Sequence, residues 1–137
     1  MSEMDDMNRP VIEEFRANDG KVGGYFEQMN LLLLTTTGRR SGQPRLNPLA
    51  YLEEDGTIYI FASKGGAPSN PDWFHNIKAN PKVTVELGTE SFEGTATEVS
   101  PEERDRIYGI QAARLDNFAE YEKMTDRTIP VVAITRD

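Results

Sequence analysis

The segment Leu31 to Leu49, which reads LLLLTTTGRRSGQPRLNPL, constrains the fold more than any other part of the chain. Its first part, residues 31–37, is an apolar and β-branched run whose length and composition predict a buried strand. Glycines and Pro44 then interrupt the run, and a second apolar segment follows from Leu46. The pattern predicts two neighbouring antiparallel strands joined by a tight turn.

The turn between these strands, residues 38–45, is called here the arginine turn, and it carries Arg39, Arg40, Ser41 and Arg45. No Asp or Glu occurs anywhere in residues 28–52, although the chain of 137 residues has a net charge of -8. Guanidinium groups, a hydroxyl and the backbone N–H groups of a glycine-bearing turn suit a phosphate or carboxylate ligand. The alternative is an ordinary solvated turn with basic side chains.

Runs with strand or helix periodicity continue along the rest of the chain. The predicted strands are residues 31–37, about 46–52, 57–62, 83–87, 91–99 and 131–135, and the predicted helices are 8–18, 72–79, 101 to about 115 and 116–124. Asn8 is the predicted cap of the first helix, with Pro10 in its first turn. Pro71 precedes the second helix and Asn80-Pro81 ends it.

Six mainly antiparallel strands with helices between and around them predict an α+β fold, a closed or nearly closed β-barrel surrounded by helices. The length predicts one domain covering residues 1–137. Closure of the barrel would bring together the arginine turn, the helix after Pro71 and residues 63–68, SKGGAP, called here the glycine loop.

Composition excludes several functions. The chain has no Cys, which rules out disulfides and thiolate chemistry and fits a reducing cytoplasm. The acidic balance disfavours nucleic acid as a partner. The first ten residues have neither a basic nor an apolar signal region, and no apolar run is long enough to cross a membrane, so we expect a cytoplasmic protein.

The motifs narrow the chemistry further. His75 is the only histidine, so a histidine-based metal site is excluded and we expect no metal. A Ser-His-Asp set using Asp72 lacks the G-x-S-x-G elbow, and neither a P-loop nor G-x-G-x-x-G occurs. Basic groups, glycines, a tryptophan and an amide without a strong general base suit a cofactor that carries its own chemistry.

Three segments in order, LLLLTTTGRRSGQPRLNPLAY, ASKGGAPSNPDWFHNIKANP and YEKMTDRTIPVV, make this chain similar to the deazaflavin-dependent nitroreductase family. The resemblance covers about residues 8–134. Members are split β-barrel proteins that bind coenzyme F420, so the resemblance implies an oxidoreductase that transfers hydride from reduced F420 to a small electron-poor acceptor. The arginine–lysine pair usual in the family is Arg39-Arg40 here, which keeps the charge but changes the donor geometry.

The resemblance also implies roles for individual residues. The arginine turn would hold the phosphate and acidic tail of the coenzyme through Arg39, Arg40, Ser41 and Arg45. The remaining implied cofactor contacts are Asn47, Pro48, Leu49, Ala62, Ser63, Lys64, Gly65, Gly66, Trp73 and Asn76. Tyr121 would lie above the ring beside the substrate, and Tyr121, Ser63 or water would supply a proton. The alternative for Tyr121 is plain packing in an apolar stripe with Phe118 and Met124.

The wall near Tyr121 is poorer in tyrosine than in the nitroimidazole-activating members, because Phe118 and Met124 take neighbouring positions and Lys123 replaces a small polar residue. Quinones and small nitroaromatics are therefore favoured as acceptors over bulky bicyclic nitro compounds. Two alternatives stay open: an FMN-dependent split-barrel reductase, and a non-catalytic F420 carrier. The sequence is compatible with a monomer or a homodimer. Weak peripheral membrane association through the first helix is a further alternative, although that helix carries Glu13 and Glu14.

Overall fold

A computed structural model describes residues 3–23 and 30–137 of the chain. Their elements, in order, are α1 (Glu3–Ala17), β1 (Leu31–Thr37), β2 (Pro44–Glu54), β3 (Thr57–Phe61), a 3-10 turn (Lys64–Gly66), α2 (Asp72–Ala79), β4 (Lys82–Leu87), β5 (Glu90–Glu98), α3 (Pro101–Arg114), α4 (Asp116–Lys123) and β6 (Val131–Arg136). The bounds of β1 and α2 are those predicted from the sequence.

The six strands form a closed barrel in the order β1-β2-β3-β6-β5-β4, and every neighbouring pair is antiparallel. Hairpins of consecutive strands make three of the six pairings, and β6 closes the barrel by inserting between β3 and β5. The predicted α+β barrel is therefore confirmed.

The barrel interior is built by alternate residues of the strands, because successive side chains of a strand point to opposite faces. Leu32 and Leu34 of β1, for example, are fully buried in one core cluster with the inward residues of the other strands. Trp73, Phe74 and Ile77 of α2 belong to the same cluster. Helix α2 therefore packs directly on the barrel core.

Two further clusters lie on the outside of the barrel. Phe15 of α1 packs on Leu31 and Leu33, the outward residues of β1. On another side, Phe61 of β3 contacts the rings of Tyr108 on α3 and Phe118 on α4. The helices thus cover apolar strand faces that would otherwise be exposed to water.

Helix α1 differs from its prediction, because it begins at Glu3 and runs through Pro10 instead of being capped at Asn8. The sequence ahead of Pro10 is rich in acidic residues, a composition that favours a helix amino terminus. The helix ends as predicted near Asp19-Gly20. Asp19 and Gly20 both have positive φ, and the Gly20 N–H donates to the Phe15 carbonyl.

Strand β2 is longer than predicted, since it starts at Pro44 and ends at Glu54. Pro44 is tolerated as the first residue of the strand, where its missing N–H removes no interior ladder bond. This extension brings Arg45 into the strand opposite Thr36 of β1. Within residues 3–23 and 30–137, every helix falls short of the length and hydropathy needed to cross a membrane.

Candidate active site

The arginine turn is a compact backbone structure. The Gly38 N–H donates to the Gln43 carbonyl and the Gly42 N–H to the Gly38 carbonyl, both at 2.8 Å. The Ser41 hydroxyl accepts a hydrogen bond from the Gln43 N–H at 3.1 Å. A Cβ on Gly38 would lie 2.8 Å from Ser41 Oγ and 3.4 Å from Arg45 Nε, so glycine permits both side chains to approach the backbone. The side chains of Ser41 and Arg45 therefore lie close together beside Gly38.

Arg39 is held in place by Asn76 of α2. The Asn76 Oδ1 accepts from the Arg39 backbone N–H at 3.1 Å and from its Nη1 at 3.4 Å. The Asn76 Nδ2 donates to Thr36 Oγ1 at 3.1 Å. Asn76 is only 4% exposed, so these bonds satisfy the partner requirement of a buried amide. Asp72 lies 3.9 Å from the Arg39 guanidinium, at the start of the same helix.

Arg40 and Arg45 are exposed, as is Ser41, so the turn presents positive charge to solvent. A cavity of about 550 Å³ opens beside it, and its lining includes Thr36, Thr37, Gly42, Pro44, and Lys82 of β4. Ser63 and Tyr121 lie outside the lining of this cavity.

The three predicted contacts on β2 do not share one face. Leu49 packs against the core cluster that contains Trp73 and Ala62, and Asn47 lies on the same face because the two are separated by one residue. Pro48 falls on the opposite face, which its neighbours Leu46 and Ala50 turn toward α1. Asn47 and Leu49, but not Pro48, therefore lie on the face of β2 that is directed at the core cluster containing Trp73.

The glycine loop follows β3 directly and adopts an unusual backbone. Ala62 is buried and its N–H donates to the Pro130 carbonyl. Lys64 has φ of +47° and Gly66 has φ of +83°. A Cβ on Gly66 would lie 2.9 Å from Met124 Cβ and 3.2 Å from the Tyr121 carbonyl oxygen, so α4 approaches the loop closely. Glycine at position 66 is required by both its conformation and its packing.

Tyr121 is half-buried beside this loop. Its ring contacts that of Phe118 edge to face at 5.3 Å, and its hydroxyl accepts a hydrogen bond from Asn117 Nδ2 at 3.2 Å. The predicted stripe runs from buried Phe118 through Tyr121 to Met124, which is 64% exposed. Tyr121 is therefore located between the core and solvent, a position compatible with either packing or substrate contact.

The sequence-predicted residues consequently fall into two groups. One group surrounds the arginine turn with Asn76, and the other consists of the glycine loop with Tyr121. The segment from Asn70 to Asn76 links them, because Asn76 binds Arg39 while Asn70 Oδ1 accepts from Arg127 at 2.7 Å. His75 is exposed, with its ring against Phe74.

Sequence reasoning missed Thr36 and Arg127. Thr36 follows Leu32 and Leu34 at a spacing of two, a signal that its hydroxyl points into the barrel toward a polar partner. Arg127 lies within the segment YEKMTDRTIPVV and donates to three oxygens of residues 63–70. Burial lowers the pKa of its guanidinium, which nevertheless stays charged at neutral pH.

The donor set fits a phosphorylated cofactor with an acidic tail. Arg39, Arg40 and Arg45 offer guanidinium forks on one turn, where Ser41 Oγ and Arg45 Nε both approach Gly38. The glycine loop and the face of β2 around Leu49 provide backbone and apolar contacts of the kind that a planar ring needs. The fold and these residues define a split β-barrel of the flavin- and deazaflavin-binding class.

Comparison with known proteins agrees with this class and narrows it. The family model for F420H(2)-dependent quinone reductase matches residues 7–136. The F420H(2)-dependent quinone reductase Rv1261c of Mycobacterium tuberculosis is 38% identical over 126 residues, which cover 89% of this chain and 85% of that protein. The chain therefore belongs to the F420H(2)-dependent quinone reductase family.

Two solved structures share the fold and much of the sequence. An F420-H2 dependent reductase, FDR-A, is 42% identical with a TM-score of 0.70, and the match covers 77% of this chain and 93% of that one. A structure described as a domain-swapped dimer is 37% identical with a TM-score of 0.72, covering 95% and 98%. Family membership confirms the predictions of a split-barrel oxidoreductase, of hydride transfer from reduced F420, and of F420 as the cofactor.

Proposed function

We propose that this chain reduces quinones, with the arginine turn binding the charged tail of F420 and the glycine loop and Tyr121 bordering its ring. The observation that carries the proposal is the Asn76–Arg39 contact, which fixes the arginine turn against the helix that leads back to the glycine loop. Reduced F420 supplies a hydride when bound. The protein's task is to hold the tail, the ring and the acceptor in register.

The tail is proposed to bind Arg39, Arg40, Ser41 and Arg45. Arg39 contributes from a fixed position, because Asn76 accepts from both its backbone and its side chain. Asn76 is buried and its Oδ1 accepts two hydrogen bonds from Arg39, so its proposed contribution is to orient Arg39. Charge-assisted bonds from a pre-oriented guanidinium lose less side-chain entropy on binding than those from a free one.

The ring is proposed to lie against Asn47, Leu49 and the glycine loop, with Ala62 and Trp73 forming the buried layer behind it. Quinone reduction by hydride also requires a proton at the second oxygen. Tyr121 and Ser63 are the proposed donors, since each is half-buried at the edge of the glycine loop. Asn117, which donates to the Tyr121 oxygen, orients that hydroxyl.

The assembly is proposed to be a homodimer. The support is the 37%-identical structure described as a domain-swapped dimer, which covers nearly the whole of both chains. Size-exclusion chromatography with light scattering tests this proposal. A monomeric mass at micromolar concentration would contradict the dimer. We do not extend the proposal to a membrane, because the apolar face of α1 packs on the barrel through Phe15, and Arg16 of α1 pairs with Glu86.

The decisive experiment titrates the purified protein with F420 and with FMN, then follows oxidation of reduced F420 with menadione as acceptor. We expect F420 binding and menadione-dependent oxidation, without FMN co-purification. Yellow protein that binds FMN and ignores F420 supports the FMN alternative. F420 binding without turnover on any quinone or nitroaromatic supports the carrier alternative.

The arginine turn is tested with Arg45→Gln and the matched control Arg114→Gln, an exposed arginine at the end of α3. We expect Arg45→Gln to weaken F420 binding about tenfold, as loss of a charge-assisted bond does. A deazaflavin that lacks the phosphate and tail should bind both variants and the unaltered protein equally. If Arg45→Gln lost affinity equally for F420 and for the tail-less compound, the arginine turn would not be the binding site of the tail.

A further inference from the structure

Arg127 joins the segment between α4 and β6 to the glycine loop through three hydrogen bonds. Its Nη2 donates to the Ser63 carbonyl at 2.9 Å and its Nε to the Ala67 carbonyl at 2.9 Å. Its Nη1 donates to Asn70 Oδ1 at 2.7 Å. All three distances are those of charge-assisted hydrogen bonds, and all three acceptors are neutral oxygens of residues 63–70.

The two carbonyl acceptors bracket the unusual part of the loop. Lys64 and Gly66, which lie between Ser63 and Ala67, have φ of +47° and +83°. A lysine in the left-handed region is strained, and such a conformation persists only where the surroundings over-determine it. The guanidinium fork spans the two ends of this turn and so holds their separation.

Two backbone hydrogen bonds and one packing contact also support the loop conformation. Its own backbone supplies the bonds from the Gly66 N–H to the Ser63 carbonyl and from the Ala67 N–H to the Lys64 carbonyl. The Ser63 carbonyl therefore accepts from both the loop and Arg127. Met124, which follows α4, packs against Gly66, so the loop is contacted by both Met124 and Arg127.

We propose that Arg127 is a positioning residue for the ring-binding loop: its guanidinium clamps the Ser63 and Ala67 carbonyls and so holds Lys64 and Gly66 in the conformation that receives the cofactor ring. This inference rests on the proposed placement of the F420 ring at the glycine loop. The planar fork is essential, because it directs N–H groups to fixed acceptors, whereas an ammonium is a point charge on a flexible stem. Lysine at this position would keep the charge and lose the clamp.

The test compares Arg127→Gln and Arg127→Lys with the control Arg104→Gln. Arg104 is a matched arginine: its side chain is 12% exposed and it donates to the Ile129 carbonyl, Asp105 and Glu122, none of which is in the glycine loop. Two properties are measured in all four proteins: hydrogen exchange of residues 64–67 without cofactor, and the Kd for F420. Steady-state kinetics then separates KM for reduced F420 from kcat.

We expect both Arg127 variants to exchange the Gly66 and Ala67 amides about tenfold faster and to bind F420 about tenfold more weakly, the loss typical of a loosened supporting shell. The KM for reduced F420 should rise more than kcat falls. Arg104→Gln should lower thermal stability comparably while leaving loop exchange and the Kd within about twofold.

Two results would overturn the clamp. One is Arg127→Lys behaving like the unaltered protein, which would assign the effect to charge instead of the fork. The other is unchanged loop exchange in Arg127→Gln. If the unaltered protein binds no F420 but Arg127→Gln still accelerates loop exchange, the clamp stands and the proposed function fails.

Discussion

Asn76 accepts two hydrogen bonds from Arg39 through a single atom: its amide Oδ1 accepts from both the backbone N–H and the guanidinium of Arg39. The contact joins a surface turn to a buried helix position, because Asn76 is 4% exposed and its Nδ2 reaches Thr36 inside the barrel. The position of the arginine turn is therefore set by the barrel core.

Replacing Asn76 by Ala should test this relationship. The change leaves the Arg39 N–H and the Thr36 hydroxyl without their amide partner, which should lower the free energy of unfolding by about 1–3 kcal/mol. F420 affinity should fall as well, because Arg39 loses its fixed orientation. Urea unfolding and F420 titration measure the two effects. His75→Ala, an exposed change on the same helix, is the control; stable Asn76→Ala protein with unaltered affinity would contradict the positioning role.

Tyr121→Phe should separate proton donation from packing. The ring and its contact with Phe118 are kept, and the hydroxyl that accepts from Asn117 is removed. If Tyr121 donates the proton, kcat with menadione should fall about tenfold or more while the Kd for F420 is unchanged. Tyr59→Phe is the control, since Tyr59 is a buried tyrosine whose hydroxyl donates to Glu103 on the outside of the barrel. Unaltered kcat in Tyr121→Phe would return Tyr121 to a packing role.

Gly66→Ala and Gly56→Ala form a matched pair. Their φ angles are +83° and +81°, so alanine meets the same backbone strain in both. Only Gly66 has a neighbour for the new Cβ, which would lie 2.9 Å from Met124 Cβ, whereas Gly56 has open space. Gly56→Ala should cost about 1 kcal/mol of unfolding free energy and Gly66→Ala about 2–3 kcal/mol. Equal costs by urea unfolding would show that Met124 moves aside freely.

Acid should weaken the fold partly through Glu103. Hydrogen bonds from Arg106 lower the pKa of the Glu103 carboxyl below its ordinary value, and the charge of Arg106 and a hydrogen bond from Tyr59 act in the same direction. Because the folded pKa is below the unfolded one, this stabilisation is present above the unfolded pKa of about 4.5 and is lost as the pH falls through the folded pKa. Urea midpoints measured as the pH is lowered from about 6 to about 3 should therefore fall less steeply for Glu103→Gln than for the unaltered protein. Parallel curves would exclude a contribution from Glu103.

Local sequence signals were enough for most of the elements. The apolar run before Gly38 and the Pro71 and Asn80-Pro81 boundaries predicted β1 and α2 with the bounds that the structure has. The alternation of the remaining strands predicted barrel closure. The start of α1 was wrong, because a proline inside a helix was interpreted as a first-turn signal.

The sequence predicted which residues form the candidate site but not the contacts between them. The resemblance named Asn76 as a cofactor contact, whereas its side chain accepts from Arg39, which lies 37 positions away and is brought near only by tertiary folding. The same limit explains why Arg127 was missed, since its acceptors are the backbone carbonyls of distant residues. Every residue has a backbone carbonyl, so the sequence does not show which carbonyls accept from an arginine side chain.

The insertion of β6 between β3 and β5 has a consequence for biosynthesis. Until Val131–Arg136 has left the ribosome, β3 and β5 are open edges with unpaired backbone groups, and the interior lacks Val132 and Ile134. A nascent chain stalled before this strand is thus a candidate for intermolecular pairing and for chaperone capture.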